Sequence, residues 1–207
     1  MDINLEIWKI AQEKKKRAWL ALDDSQLKEL AEKKRNIYVP EVKEWLEKSG
    51  ISIKFNSMLQ VGCAAVGTIH FWYDVPKKLA IEPLADFFKA NFPRFIDPRV
   101  DYKKGMGENL PFADQTFDFV YLENVIDHVP DYRAVLQDTF RVLTQGGYVH
   151  VSINVPTLVG RICYAPVNTA LFRLILVISS RYIQQKIRIN SSLTMLVYSA
   201  GLKSSKE

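Results

Sequence analysis

The sequence predicts an α/β fold: a mostly parallel sheet with helices on both faces, entered through a helical extension. Two observations carry this expectation. From residue 51 onward, short apolar runs alternate with segments of helical periodicity, the pattern of strands joined by helical crossovers. The first of those runs, "MLQVGCAAVG" over residues 58–67, passes directly into a glycine-containing turn. In open parallel sheets, ligands bind beyond the carboxyl ends of the strands, where such a turn lies.

The elements follow in order. "EIWKIAQEKKKRAWLAL" spaces its apolar residues helically, and "DDSQLKELAEKK" opens a second helix with the N-cap candidates Asp23, Asp24 and Ser25. Pro40 is suited to the first turn of a third helix, "PEVKEWLEKSG", which Gly50 closes. The basic clusters "KKKR" and "KKR" are interleaved with acids, so they read as a solvated helix face and not as a nucleic-acid patch. "SMLQVGC", "KKLAIEP", "FDFVYLEN" and "GYVHVSIN" read as strands, with a weaker one at "RVDYKKG". "LADFFKANF" and "DYRAVLQDTFRVLT" are the helices between them. The chain therefore divides into a helical extension (1–50), an α/β core (51–155) and a hydrophobic, basic helical segment (156–207).

A chain of 207 residues has room for a sizeable core. It has two cysteines, Cys63 and Cys163, with no C-x-x-C, which argues against a disulfide framework or a zinc site and for a reducing compartment. The N-terminus lacks an uninterrupted apolar stretch with a small-residue cleavage site, so a cytoplasmic protein is expected. The net charge of +5 is carried by the C-terminal segment: residues 155–207 hold 7 Lys and Arg against 1 acid, with Arg161, Arg173, Arg181, Lys186 and Arg188 among apolar neighbours. That suits a solvated helix face or, alternatively, peripheral contact with an anionic membrane. The run from Ala165 to Ser180 is too short, and is broken by Arg173, for a spanning helix.

Gly62, Ala64 and Gly67 fit the dinucleotide spacing G-x-G/A-x-x-G, and Glu82 follows about twenty residues on, where a ribose-binding acid is expected. Alone, the turn suits NAD. Its plainer reading is a tight turn followed by a helix-capping acid.

The second half of the core separates the ligands. Residues 105–153 contain Glu108, Leu110, Pro111 and Phe112, then Phe117, Asp118 and Val120, then Arg141, Val142, Leu143, Gly146 and Gly147. In that order and spacing, the block resembles the class I S-adenosylmethionine-dependent methyltransferases, in particular the methyltransferase type 11-like group, and the likeness covers roughly residues 56–154. It implies a Rossmann-like class I sheet, S-adenosylmethionine as cofactor, and methyl transfer to a small-molecule or glycan-type acceptor. "IEPL" followed by "NVIDHV" is similar to methyltransferases encoded with glycan-assembly enzymes, the source of the glycan expectation. By the same resemblance, Gly62, Cys63, Ala64 and Gly67 cradle the amino-acid end of the cofactor. Glu82, followed by Pro83, accepts hydrogen bonds from the ribose hydroxyls; Met106, Gly107 and Glu108 border the adenine; Glu123 and Asn124 face the methionine portion. No catalytic residue and no metal ligand is assigned. The resemblance also implies that His128, beside Asp127, lies near the acceptor and could take its proton; its plainer reading is a capping or packing residue. His70 and His150 read as structural.

The chain also departs from that family. Gln60 stands where an acid is usual, and Ala64 and Val66 replace two glycines of the turn. Valine does not easily take the positive φ that glycine tolerates. Met106 stands where many relatives carry an adenine-binding aspartate. "LTMLVYSAGLKSSKE" reads as more helix, leaving the last strands of the sheet unaccounted for. On that reading the chain is a fragment, or "LVGRICYAPVNTALFRLILVISSRYI" covers the fifth strand. The altered turn motivates a second function, a non-catalytic binding module with a degenerate cofactor site. An NAD-dependent oxidoreductase is the third.

Overall fold

The structure, a computed structural model, describes residues 3–153 and 193–198. Among the described residues six strands form one sheet: β1 (Ser57–Val61), β2 (Lys77–Glu82), β3 (Val100–Lys104), β4 (Phe117–Glu123), β5 (Leu143–Ile153) and β6 (Leu193–Tyr198). Their spatial order is β3-β2-β1-β4-β5-β6. The first five pair in parallel and β6 runs antiparallel to β5. The chain moves outward from β1 to β3 and then returns to β1's other side as β4, so the sheet switches direction between β1 and β4. A ligand crevice opens at such a point.

Alternation along the strands divides the core between two faces. Met58, Ala80, Phe119 and Tyr121 belong to one cluster, which also holds Leu27, Ala31, Val39, Val42 and Leu46 of the N-terminal helices. Leu59, Val61, Ile81, Val120, Leu122, Val149 and Val151 belong to the other, with Val135, Leu136 and Val142 from α5 (Tyr132–Val142). The helical extension is thus built into the core of the sheet. A polar row crosses the first face as well: Gln60 is registered with Tyr121, and Tyr121 with His150, all three buried.

The extension comprises α1 (Ile3–Leu20), α2 (Asp24–Lys33) and α3 (Val39–Lys48). Asp23 caps α2 reciprocally with Gln26, each side chain accepting the other's backbone N–H. Pro40 does not begin a separate helix. α2 passes through a π turn, Lys34–Tyr38, into α3, and Pro40 sits in the first turn of α3 inside this continuous run. The π turn supplies the local rearrangement that a proline in mid-helix requires. Gly50, at φ +73°, ends α3, with Ile51 N–H bonded back to the Leu46 carbonyl.

Two further expectations are corrected. The fifth strand starts earlier than the expected "GYVHVSIN": α5 ends at Val142, β5 begins at Leu143, and Gly146 and Gly147 lie in an irregularity within β5 opposite Phe117–Phe119. Residues Leu193–Tyr198 are a strand and not a helix; Leu193 is paired with Ile153 and Tyr198 with Tyr148. An alternation-tolerant run of β-branched, aliphatic and aromatic residues gains a backbone partner along the edge of β5, which decides between two otherwise similar apolar readings. The rest of the C-terminal segment lies outside the described residues. α4 (Ala85–Asn91) follows β2 and sets Phe88 in the first core.

Candidate active site

At the end of β1 the chain must turn without colliding with the residues that follow β4. Gly62 does so at φ +70°, its N–H bonded 2.7 Å to the Ile81 carbonyl; a Cβ here would stand 2.6 Å from Val125 Cγ2. Ala64 also takes a left-handed conformation, φ +47°, and is held at both ends. Its N–H donates to Glu82 Oε2 at 3.0 Å, and its carbonyl accepts from Tyr102 Oη at 2.9 Å. Val66 has no positive φ and is simply buried, so the conformation that troubled a valine falls on alanine instead.

Glu82, closing β2, is fully buried. Oε1 accepts from Leu84 N–H and from Lys15 Nζ, both at 3.2 Å. Oε2 accepts from Ala64 N–H at 3.0 Å and from Lys15 at 3.5 Å. Burial and the nearby Glu82 charge push the Cys63 thiol well above its usual range, so it stays protonated and is no nucleophile.

Glu123, closing β4, is held similarly. Oε1 pairs with Lys34 and Oε2 accepts Thr68 Oγ1 at 2.5 Å. Asn124 turns the chain at φ +51°, its N–H bonded 2.8 Å to the Ser152 carbonyl. Gln60, in place of an acid, accepts Ile69 N–H on Oε1 at 2.8 Å and fixes the short 3-10 turn Thr68–Phe71. The turn after β3 crosses the end of β1 so closely that a Cβ on Gly107 would lie 2.8 Å from Val61 Cγ1.

These strand ends and α1 enclose a cleft of about 930 Å³, within the range of small-molecule sites. Of the expected cofactor residues, Gly62, Cys63, Ala64, Pro83, Gly107, Glu108, Glu123 and Asn124 line it. Gly67, Glu82 and Met106 stand off its wall. Gly67 packs against Cys63, Met106 is half-buried beside the cleft, and Glu82 is screened from it by Lys15 and the 62–64 turn. His128 lines the mouth, exposed, with Nε2 3.4 Å from Asp127 Oδ2. His70 and His150 are elsewhere, buried in the sheet's first core face, and burial lowers each to about 4.

Sequence reasoning missed four contributors, Lys15, Lys34, Thr68 and Tyr102, and named Gln60 only as a departure from the family. Gln60 carried a signal, as a polar residue inside an apolar strand. Lys15 carried none, being one of four adjacent cations on a helix.

Residues 59–151 match the methyltransferase-domain family. Among curated relatives, the chain is similar to the demethylmenaquinone methyltransferase of Geobacillus sp. (strain WCH70), 42% identical over 57 residues, which is 27% of this chain and 24% of the relative. It is also similar to the phthiotriol/phenolphthiotriol dimycocerosates methyltransferase of Mycobacterium tuberculosis (H37Ra), 41% identical over 51 residues, 25% of this chain and 19% of the relative. The matches span no more than about a quarter of these relatives' lengths. Among solved structures, a SAM-dependent methyltransferase of Aquifex aeolicus superposes with a TM-score of 0.57 at 15% identity, covering 86% of this chain and 98% of its own. A Pyrococcus horikoshii OT3 protein gives 0.59 at 16%, covering 81% and 93%.

Proposed function

We propose that this chain, which carries a methyltransferase domain over residues 59–151 on a class I methyltransferase sheet, binds S-adenosylmethionine in the β1–β4 cleft and transfers its methyl group to a small-molecule acceptor with an apolar body. The observation that carries the reading is the left-handed Gly62–Ala64 turn, facing a carboxylate held by backbone N–H groups at the end of β2. The residues present fit the cofactor. Gly62, Cys63 and Ala64 offer a close backbone approach for the amino-acid end, Glu82 two acceptor oxygens for a ribose diol, and Gly107 and Glu108 a wall for the adenine. Glu123 and Asn124 face the methionine portion.

When bound, S-adenosylmethionine supplies a methyl group already activated by its sulfonium. The protein's work is then alignment of the acceptor and exclusion of water. Ile7, Trp8 and Ala11 of α1, with Val129 and Pro130, are among the apolar residues of the lining. This supports an acceptor with an apolar body over a glycan, beside curated relatives named for demethylmenaquinone and for phthiotriol/phenolphthiotriol dimycocerosates. For an acceptor that must lose a proton, His128 at the cleft mouth is the group positioned to take it. The binding-module alternative draws on one observation, the complete burial of Glu82 beneath Lys15. The nicotinamide reading gives way to the methyltransferase-domain match.

Calorimetric titration with S-adenosylmethionine, S-adenosylhomocysteine and NAD, repeated on Glu82→Ala, tests the proposal. Binding of the adenosyl ligands but not NAD, weakened roughly tenfold to a hundredfold by losing charge-assisted hydrogen bonds, is expected. Failure of the folded wild-type protein to bind either adenosyl ligand sinks it.

A further inference from the structure

Lys15 lines the cleft and stands over the carboxylate that the cofactor's ribose needs. Resting on the cofactor reading above, we propose that α1 is a latched lid: Lys15 and the ribose diol compete for Glu82, so binding of the cofactor unlatches the helix.

Three observations lead there. First, the acceptor sites of Glu82 divide into fixed and exchangeable ones. A carboxylate has about four lone-pair sites. Here two are taken by Ala64 N–H and Leu84 N–H, which belong to the turns that build the cleft, and the remaining contacts go to Lys15. A diol seeking both oxygens must therefore approach from the side the ammonium occupies. Second, the two partners differ in freedom. The Glu82 side chain is 0% exposed and cannot follow a displaced partner, whereas that of Lys15 is 34% exposed and can swing into water. Third, α1 is lightly held. From Leu5 to Leu20 none of its side chains is buried. At its C-terminal end Trp19 packs edge-on against Phe88 and Phe92, at 5.1 and 5.7 Å between ring centroids. One turn earlier, Lys15 makes its ion pair and lies over the Phe88 ring. Towards its start, Ile7 and Ile10 are exposed.

The second lysine on a strand-end acid shows the contrast. Lys34 and Glu123 are each 11% exposed, Thr68 holds the other Glu123 oxygen, and Lys34 lies in the continuous α2–α3 run that is part of the core. That pair is a fixed tie, and the Lys15 pair is the exchangeable one. Linkage sets the sign of the effect. Removing the ammonium leaves a buried carboxylate short of donors until the ribose supplies them, so the free protein loses more than the complex does.

The test is titration of S-adenosylhomocysteine into the wild-type chain, Lys15→Met, and Lys9→Met as a charge-matched control on the same helix. Amide hydrogen exchange of wild-type α1 is measured with and without ligand. Lys15→Met keeps the aliphatic stem over Phe88 and is expected to bind about two- to fivefold more tightly, the range of a partly exposed ion pair, while Lys9→Met is unchanged. Amides of the first half of wild-type α1 are expected to exchange faster when ligand is bound. Equal or weaker binding by a folded Lys15→Met, or slower exchange in α1 on binding, overturns the latch and leaves the cofactor reading intact. No binding by the folded wild type overturns the cofactor reading and the latch with it.

Discussion

His150 lies flat against Tyr121, ring centroids 4.3 Å apart, and His70 is buried beside Tyr102. In both, burial disfavours the charged imidazole and lowers the pKa from 6.5 to about 4. Between these values the unfolded chain takes up protons that the folded chain refuses. The stability these residues contribute is complete above pH 6.5 and is lost as pH falls from 6.5 towards 4. Each is worth on the order of 3 kcal/mol across that window. Denaturant unfolding of His150→Phe, followed from pH 7 to 4, should show a flatter decline than wild type; an identical slope would mean that His150 is protonated in the folded state. The structural role of both histidines was legible from their apolar, alternating neighbours. The role of Ala64 was not, because which residue of "GCAAVG" takes positive φ depends on Glu82 and Tyr102 gripping the turn from outside it.

Arg141 shows what an element demands of one side chain. Sequence reading placed it in a family block; the structure makes it the clamp that seats the loop before β4 on α5. Its guanidinium donates to the Leu110 and Phe112 carbonyls at 2.9 and 2.6 Å and to Asp114 at 2.9 Å, and it pairs with Asp138, which also receives Leu110 N–H. Arg141→Ala strands two carbonyls and a half-buried carboxylate, and should cost about 2 to 4 kcal/mol in chemical denaturation. A loss under 0.5 kcal/mol would show that water replaces the clamp. Asp23→Ala breaks the capping box of α2 and should cost about 1 kcal/mol in the same assay. Helix caps and the Gly50 terminus were visible in the sequence because they are made within four residues. The passage of α2 into α3 through a π turn was not, since a proline signals a helix start equally well whether or not another helix precedes it.

At the scale of the molecule, the sheet separates two cores, and the first joins the helical extension to the strands. Leu46, wholly buried, is part of that joint with Phe55, Met58 and Trp72. Leu46→Ala should cost about 2 to 5 kcal/mol and keep a single unfolding transition, because the shared core makes the extension and the sheet one cooperative unit. A second transition by circular dichroism would show that residues 1–50 fold apart from the sheet. The sequence by itself determined the alternation of strands and helices, the turn after β1, and the likeness to methyltransferases over the core. All of these are written in short-range periodicity and in motifs whose members are neighbours. Only the tertiary structure decided that β6 pairs with β5 and that the acids ending β2 and β4 each meet a lysine from the N-terminal helices. Lys15 and Glu82 lie 67 residues apart, and no local pattern encodes which member of a basic cluster will lie over a buried carboxylate once the helix folds back across the sheet.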